Sequence, residues 1–237
     1  MGTQFLPSGL GCRLGGRDYP RIFLEGKSEA GLGPLAAAVP LGYDSRRMPD
    51  HPTQARSFLF LLASARHEGN TEILTRRAAA ALPSADQQQW IRLSDVPLPP
   101  FRDIRHSVGT YPQPEGNERT LAEATLACTD LVVAAPLYWY SVPASAKLYL
   151  DYWSGWLRVP GLDFKQRMAG KRMWSVCALS DEDLTAADPL VRMLELSAGY
   201  MGMDWRGVLF GYGSRPGDVE RDARALAAAD DFFLARP

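Results

Sequence analysis

Cysteine is scarce in this chain and cannot be paired off: Cys12, Cys128 and Cys177 make an odd three with no CxxC spacing. A disulfide framework is therefore not expected, and neither a zinc knuckle nor an iron–sulfur cluster would find its ligands. An excess of one charge is also lacking, with 26 Lys and Arg against 27 Asp and Glu and a formal net charge of −1. Nothing in that balance favours a nucleic acid partner. No apolar run is long enough to span a bilayer, and the amino terminus has no basic flank, apolar block and small-residue cleavage site in series, so no membrane association is expected and a cytoplasmic location is. Internal repeats and low-complexity tracts are absent, as are the phosphate-binding patterns GxxxxGK[ST] and GxGxxG.

What the chain does have is apolar content. Hydrophobic residues make up 46% of 237 positions, enough to bury a sizeable core in one domain with an appendage. The appendage is residues 1–55, where Gly, Pro and Arg recur without helical or strand periodicity, so poor packing is expected there. Met48 stands just ahead of the first good strand, which makes it a candidate downstream start. Domain-like patterning covers residues 56–237.

From Ser57 onward, strand-like and helix-like blocks alternate. SFLFLLA (Ser57 to Ala63) is a continuous apolar run of the kind found in strands covered on both faces. Thr71 to Leu82 reads as a helix and Trp90 to Asp95 as a second strand ending in a proline-rich loop. Asn117 to Cys128 is helical by spacing, and DLVVAA (Asp130 to Ala135) is the sharpest apolar run and the third strand. Pro143 to Trp153 is a helix opened by proline, where a missing N–H costs nothing. Lys171 to Leu179, Pro189 to Gly199, Trp205 to Tyr212 and Pro216 to Leu234 then read as strand, helix, strand and helix. Five βα units in series predict an α/β fold, a doubly wound parallel sheet with right-handed crossovers and helices on both faces.

Two loops in this pattern carry candidate chemistry. ASARHEGNT (Ala63 to Thr71) joins the first strand to the first helix and concentrates Ser64, Asn70 and Thr71 as donors, Arg66 and His67 as positive charge, and Gly69 for backbone freedom. An anion such as a phosphate monoester suits that turn; a plain helix cap by Asn70 or Thr71 with a solvated Arg66 is the competing reading. PLYWYSVP (Pro136 to Pro143) follows the third strand, and its aromatic cluster fits either a core or interface, or a flat cofactor lying on the rim where open α/β sheets bind ligands. Lys147 and Asp151 share a helix face and read as a surface or dimer-interface pair. His106 lies in a polar loop, and Asp181, Glu182 and Asp183 form an acidic run that is either solvated or repels anionic substrates. Cys128 and Cys177 have apolar neighbours, which favours inert thiols.

ASARHEGNT together with APLYWYSVPASAKLYLDYW resembles the corresponding segments of the flavodoxin-like NAD(P)H-dependent FMN reductases and quinone reductases, over about residues 57 to 235. The resemblance implies a five-stranded sheet in the order 2-1-3-4-5 and FMN as cofactor. It further implies FMN phosphate on Ser64, Arg66, His67, Asn70 and Thr71, and the flavin ring against Pro136, Leu137, Tyr138, Trp139 and Tyr140. Ser141, Ser180 and Asp181 would lie nearby. NADPH or NADH would donate hydride, and a small-molecule acceptor such as a quinone, free flavin, azo compound or nitroaromatic would receive the electrons in a homodimer or homotetramer. The chain departs from the pattern where Ala63 replaces the usual first glycine, where Tyr152 follows Asp151 in place of a basic residue, and in ALSDEDLT, which lacks a glycine. A flavodoxin-type electron carrier without NAD(P)H, and a flavin-free regulatory protein of the same fold, are the alternatives. A chain begun at Met48 is expected to keep FMN binding and its melting temperature; a monomeric or markedly less stable product in size-exclusion and thermal-melt measurements would instead reveal an arm across a partner subunit.

Overall fold

The computed structural model describes residues 55–234. The amino-terminal segment expected to pack poorly, and with it Met48, lies outside the described residues. Five strands, β1 (Ser57–Leu62), β2 (Gln87–Arg92), β3 (Asp130–Ala134), β4 (Arg172–Leu179) and β5 (Asp204–Tyr212), form one sheet in the order β2-β1-β3-β4-β5. Every neighbouring pair is parallel. Six helices accompany them: α1 (Asn70–Ala79), α2 (Gly116–Ala127), α3 (Ala144–Trp156), the short α4 (Phe164–Met168), α5 (Asp188–Tyr200) and α6 (Ala223–Phe232). The flavodoxin-like strand order implied by the resemblance is the one observed.

The continuous apolar strands split into two faces because successive side chains point to opposite sides of a sheet. Phe58, Phe60, Val132, Trp174 and Val176 pack with Leu74 and Ala78 of α1 and Ala225 and Ala229 of α6. Leu59, Leu61, Leu131, Val133, Met173 and Cys177 pack with residues of α2, α3 and α5 on the other side. At the first face, Gly211 of β5 leaves no room for a side chain: a Cβ there would stand 2.7 Å from both Leu74 Cδ2 and Val219 Cγ2. The absence of a side chain lets α1 and the turn before α6 close over that strand.

Several boundaries differ from the sequence-based expectation. The second strand begins three residues earlier, at Gln87, because the ladder with β1 opens with Ser57 opposite Gln87; its polar start, Gln87 to Gln89, is exposed at the sheet edge. The expected helix over Pro216 to Leu234 is broken into a 3-10 turn (Asp218–Arg221) and α6. Asp222 causes the break by accepting the N–H groups of both Ala225 and Tyr212, so it caps α6 and ties it to the end of β5. The short α4 between α3 and β4 has too few residues to give a periodic signal.

The amino-terminal ends of the central strands are fastened by a fully buried carboxylate. Asp130 accepts hydrogen bonds from Arg172 Nε at 2.8 Å and Nη2 at 3.0 Å, from Arg56 Nε at 3.1 Å and Nη2, from Trp174 Nε1 at 2.8 Å and from Thr129 Oγ1 at 2.7 Å. Arg56 also reaches the Phe233 carbonyl just past α6. Burial alone would push this carboxyl up, but the donors from Arg56, Arg172, Thr129 and Trp174 outweigh it and hold the pKa below the usual value. Removing the charge strands two guanidinium groups, so Asp130→Asn should cost about 3 kcal/mol and lower the melting temperature by roughly 6–12 °C in a calorimetric scan. Because the folded pKa is depressed, the Asp130 contribution is complete above the unfolded value of about 3.9 and fades as pH falls below it.

Candidate functional site

At the opposite end of the sheet the carboxyl ends of β1, β3, β4 and β5 surround a cleft of about 150 Å3. Its lining brings together Ser64, Arg66, Asn70 and Thr71 from the first loop, Pro136, Leu137 and Tyr138 from the second, and Ser180 from the loop after β4. The two loops singled out in the sequence therefore meet in one crevice, as the geometry of a parallel sheet requires. Gly69, Ala178, Leu179, Gly213 and Ser214 complete the lining. The last two come from GSRPG after β5, whose Gly, Ser and Pro content was the available signal.

The floor of the cleft is the start of α1. Its N-cap residue is Gly69, and no side chain caps the helix, so the first N–H groups and the positive end of the helix dipole are left for a ligand. Thr71 is 2% exposed; its carbonyl accepts from Thr75 Oγ1 at 2.6 Å while its own hydroxyl makes no hydrogen bond. Gly69 lies close beneath, where a Cβ would stand 3.3 Å from Arg66 Cβ and 3.5 Å from Ser64 Oγ. An uncapped helix start, an unengaged hydroxyl and a neighbouring guanidinium fit a phosphate monoester.

The loop holding these groups is clamped from outside by Glu72, itself 3% exposed. Its carboxylate accepts the Glu68 N–H at 2.9 Å, Arg76 Nη2 at 2.8 Å and Arg92 Nη2 at 2.6 Å, and Arg92 also donates to the Arg66 carbonyl at 3.3 Å. Burial pushes the Glu72 carboxyl up, yet the bonds from Arg92, Arg76 and Glu68 outweigh it and keep the pKa below the usual value. This clamp holds Glu68 at φ 51°, a left-handed conformation that side chains resist. Sequence reasoning missed Glu72 and Arg92 because their partnership spans β2 and α1.

Asn70, expected as a phosphate donor, lines the cleft while its side-chain amide also bonds within the protein. Its Nδ2 donates to the Arg215 carbonyl at 2.9 Å and its Oδ1 accepts the Val219 N–H at 3.4 Å. The side-chain amide thus ties the first loop to the one after β5. Gly213 makes room for it, since a Cβ there would stand 2.4 Å from Asn70 Nδ2.

In the aromatic loop, Tyr138 and Ser141 exchange both backbone bonds, at 2.9 and 3.0 Å, across Trp139 and Tyr140 at φ 50° and 63°. This is a two-residue turn of the I′ type, normally made by Asn and Gly, and two aromatic residues hold it at a cost of order 1–3 kcal/mol each. The turn lifts Trp139, 93% exposed, and Tyr140 away from the cleft, leaving Pro136, Leu137 and Tyr138 in its lining. Ser141 is outside the lining, His67 is exposed beside it, and Asp181 faces a neighbouring hollow. Lys147 and Asp151 pair on the surface of α3. Burial pushes the thiols of Cys128 and Cys177 up to about 12, so neither is a nucleophile at neutral pH. Among the described residues no group of three or more His, Cys, Asp or Glu side chains could hold a metal ion, and no helix is long and apolar enough to cross a membrane.

A family model described as the flavodoxin-like fold matches residues 56–233. The chain belongs to the flavodoxin-like family. A Bacillus subtilis (strain 168) protein named as an NAD(P)H-dependent FMN-containing oxidoreductase, YwqN, is 34% identical over 165 residues, covering 69% of this chain and 89% of that one. The solved structure of Trp repressor binding protein from Bacillus subtilis is 30% identical with a TM-score of 0.60, covering 76% of this chain and 99% of its own. RosB with a bound 8-demethyl-8-formylriboflavin-5′-phosphate intermediate has a TM-score of 0.59 at 15% identity, covering 76% of this chain and 77% of its own, and shares the fold.

Replacing Thr71 by Val tests the phosphate assignment. It should weaken FMN by about 1–3 kcal/mol, the range for a hydrogen bond to a charged group, and leave riboflavin nearly unchanged in a fluorescence titration; equal loss for both would locate the damage in the helix start.

Proposed function

We propose that this protein is an FMN-dependent oxidoreductase that takes hydride from NADH or NADPH and passes the electrons to a small acceptor such as a quinone, flavin, azo compound or nitroaromatic. The observation that carries the reading is the uncapped start of α1 with the unengaged Thr71 hydroxyl, beside the Tyr138 loop. The FMN-containing oxidoreductase YwqN, 34% identical, supports the choice of cofactor and donor. The cleft is smaller than the ~300–1,000 Å3 of sites that enclose a whole drug-sized ligand, which suits the phosphate end and leaves a ring system to lie along the rim.

When bound, FMN would supply the redox chemistry. The chain's residues bind and orient. Arg66, the Thr71 hydroxyl and the first N–H groups of α1 hold the phosphate by charge-assisted bonds. Pro136, Leu137 and Tyr138 offer an apolar wall that excludes water from one side of the ring. Glu72 and Arg92 keep the phosphate loop in its binding shape before ligand arrives, which reduces the ordering cost of binding. The lack of an activated nucleophile among the described residues agrees with a reaction whose chemistry resides in the cofactor. A flavodoxin-type carrier is less well supported, since the net charge of −1 offers little steering toward a redox partner.

The protein should quench FMN fluorescence on binding and favour FMN over riboflavin. Steady-state rates with NADH or NADPH and a quinone should give parallel double-reciprocal lines, because donor and acceptor would use one face of the rim in turn. A failure to bind FMN would remove the reading; intersecting lines would require donor and acceptor to be bound together.

A further inference from the structure

Directly beside the cleft lies a hollow of about 610 Å3 that the phosphate-binding residues do not enter. Residues adjacent in sequence line the two. Ser180 lines the cleft and the next residues, Asp181 and Glu182, line the hollow; Gly213 lines the cleft and the preceding Tyr212 lines the hollow. A ligand reacting over the cleft would reach the hollow by crossing the tips of β4 and β5. The volume is ample for a nucleoside, and the 41%-exposed ring of Tyr212 offers an aromatic surface to a base.

The charges in the hollow divide into engaged and available groups. Asp218 accepts the N–H groups of Ser214 and Arg215 and pairs with Arg221. Asp222 is occupied by the N–H groups of Tyr212 and Ala225. Asp181 accepts one N–H, from Asp183 at 3.0 Å, leaving its second oxygen unengaged, and Glu182 makes no hydrogen bond or ion pair. Against these two exposed carboxylates stands Arg224, which makes no ion pair. A ribose diol presents two O–H donors, which a carboxylate accepts; a 2′-phosphate on the same sugar would bring negative charge to negative charge.

We propose that this hollow receives the adenosine half of the hydride donor and that Asp181 and Glu182 make the protein prefer NADH to NADPH. The inference rests on the proposed function, and it makes the acidic run after β4 a device that excludes one dinucleotide.

The test compares wild type with the Asp181→Asn/Glu182→Gln double variant. Isothermal titration with ADP-ribose and 2′-phospho-ADP-ribose reads the hollow without the redox reaction, and kcat/KM for NADH and NADPH reads it in turnover. Wild type should favour ADP-ribose and NADH, and the double variant should shrink both preferences about tenfold, the factor set by one interaction with a charged group. Thr71→Val should leave both ratios unchanged. Wild-type preference for the 2′-phosphorylated ligands, or ratios unmoved by the double variant, would overturn the inference. Binding of ADP-ribose in a protein that oxidises neither dinucleotide would support the hollow as an adenosine site and overturn the proposed function instead.

Discussion

The buried carboxylate of Asp130 is the interaction on which the arrangement of the sheet depends. It gathers side chains flanking or within the starts of β1, β3 and β4, and through Arg56 it reaches the carbonyl that follows α6. A charge taken wholly out of water must be satisfied on every side, and here two guanidinium groups, an indole and a hydroxyl do so. One end of the sheet is thereby tied together. The other end, where the strands deliver their chain to the loops, is left to carry irregular backbone.

That division explains where strain is found. Of the four non-glycine residues with positive φ among the described residues, Glu68, Trp139 and Tyr140 lie in the two loops that build the cleft and its rim. Each is held by neighbours that leave it little choice: Glu68 by the Glu72 carboxylate, Trp139 and Tyr140 by the paired backbone of Tyr138 and Ser141. Such conformations persist only on a rigid support, and the packed faces of β1 and β3 provide it. The result is a preformed cleft with an uncapped helix start on its floor and Pro136, Leu137 and Tyr138 along one wall.

Much of the architecture was legible in the pattern of residues. The continuous apolar run from Ser57 marked a strand covered on both faces, Asp130 to Ala135 and Lys171 to Leu179 read as further strands, and the alternation with helical spacing gave a parallel sheet. The edge strand was read late because Gln87 to Gln89 carry no apolar signal; only pairing with β1 makes them a strand. The last helix was read as continuous because its apolar spacing persists through Asp222, whose carboxylate breaks it. Among site residues, Thr71, Arg66 and Tyr138 meet where the loops suggested. Asn70 is taken up by Arg215 and Val219, and Trp139 and Tyr140 are turned outward, because residue type alone does not say which way a turn projects its side chains.

What the linear order of residues settled is the set of elements and the rim on which they converge, since local periodicity decides strand or helix and right-handed crossovers place every βα loop at one end. What waited for the folded chain is the division of labour among polar side chains. Glu72 and Arg92, Asn70 and Gly213, Asp222 and Tyr212 are far apart in sequence. Whether a carboxylate or amide holds the scaffold or is left open to a ligand depends on which distant N–H groups and cations packing brings within about 3 Å of it, and that distance is a property of the packed molecule alone.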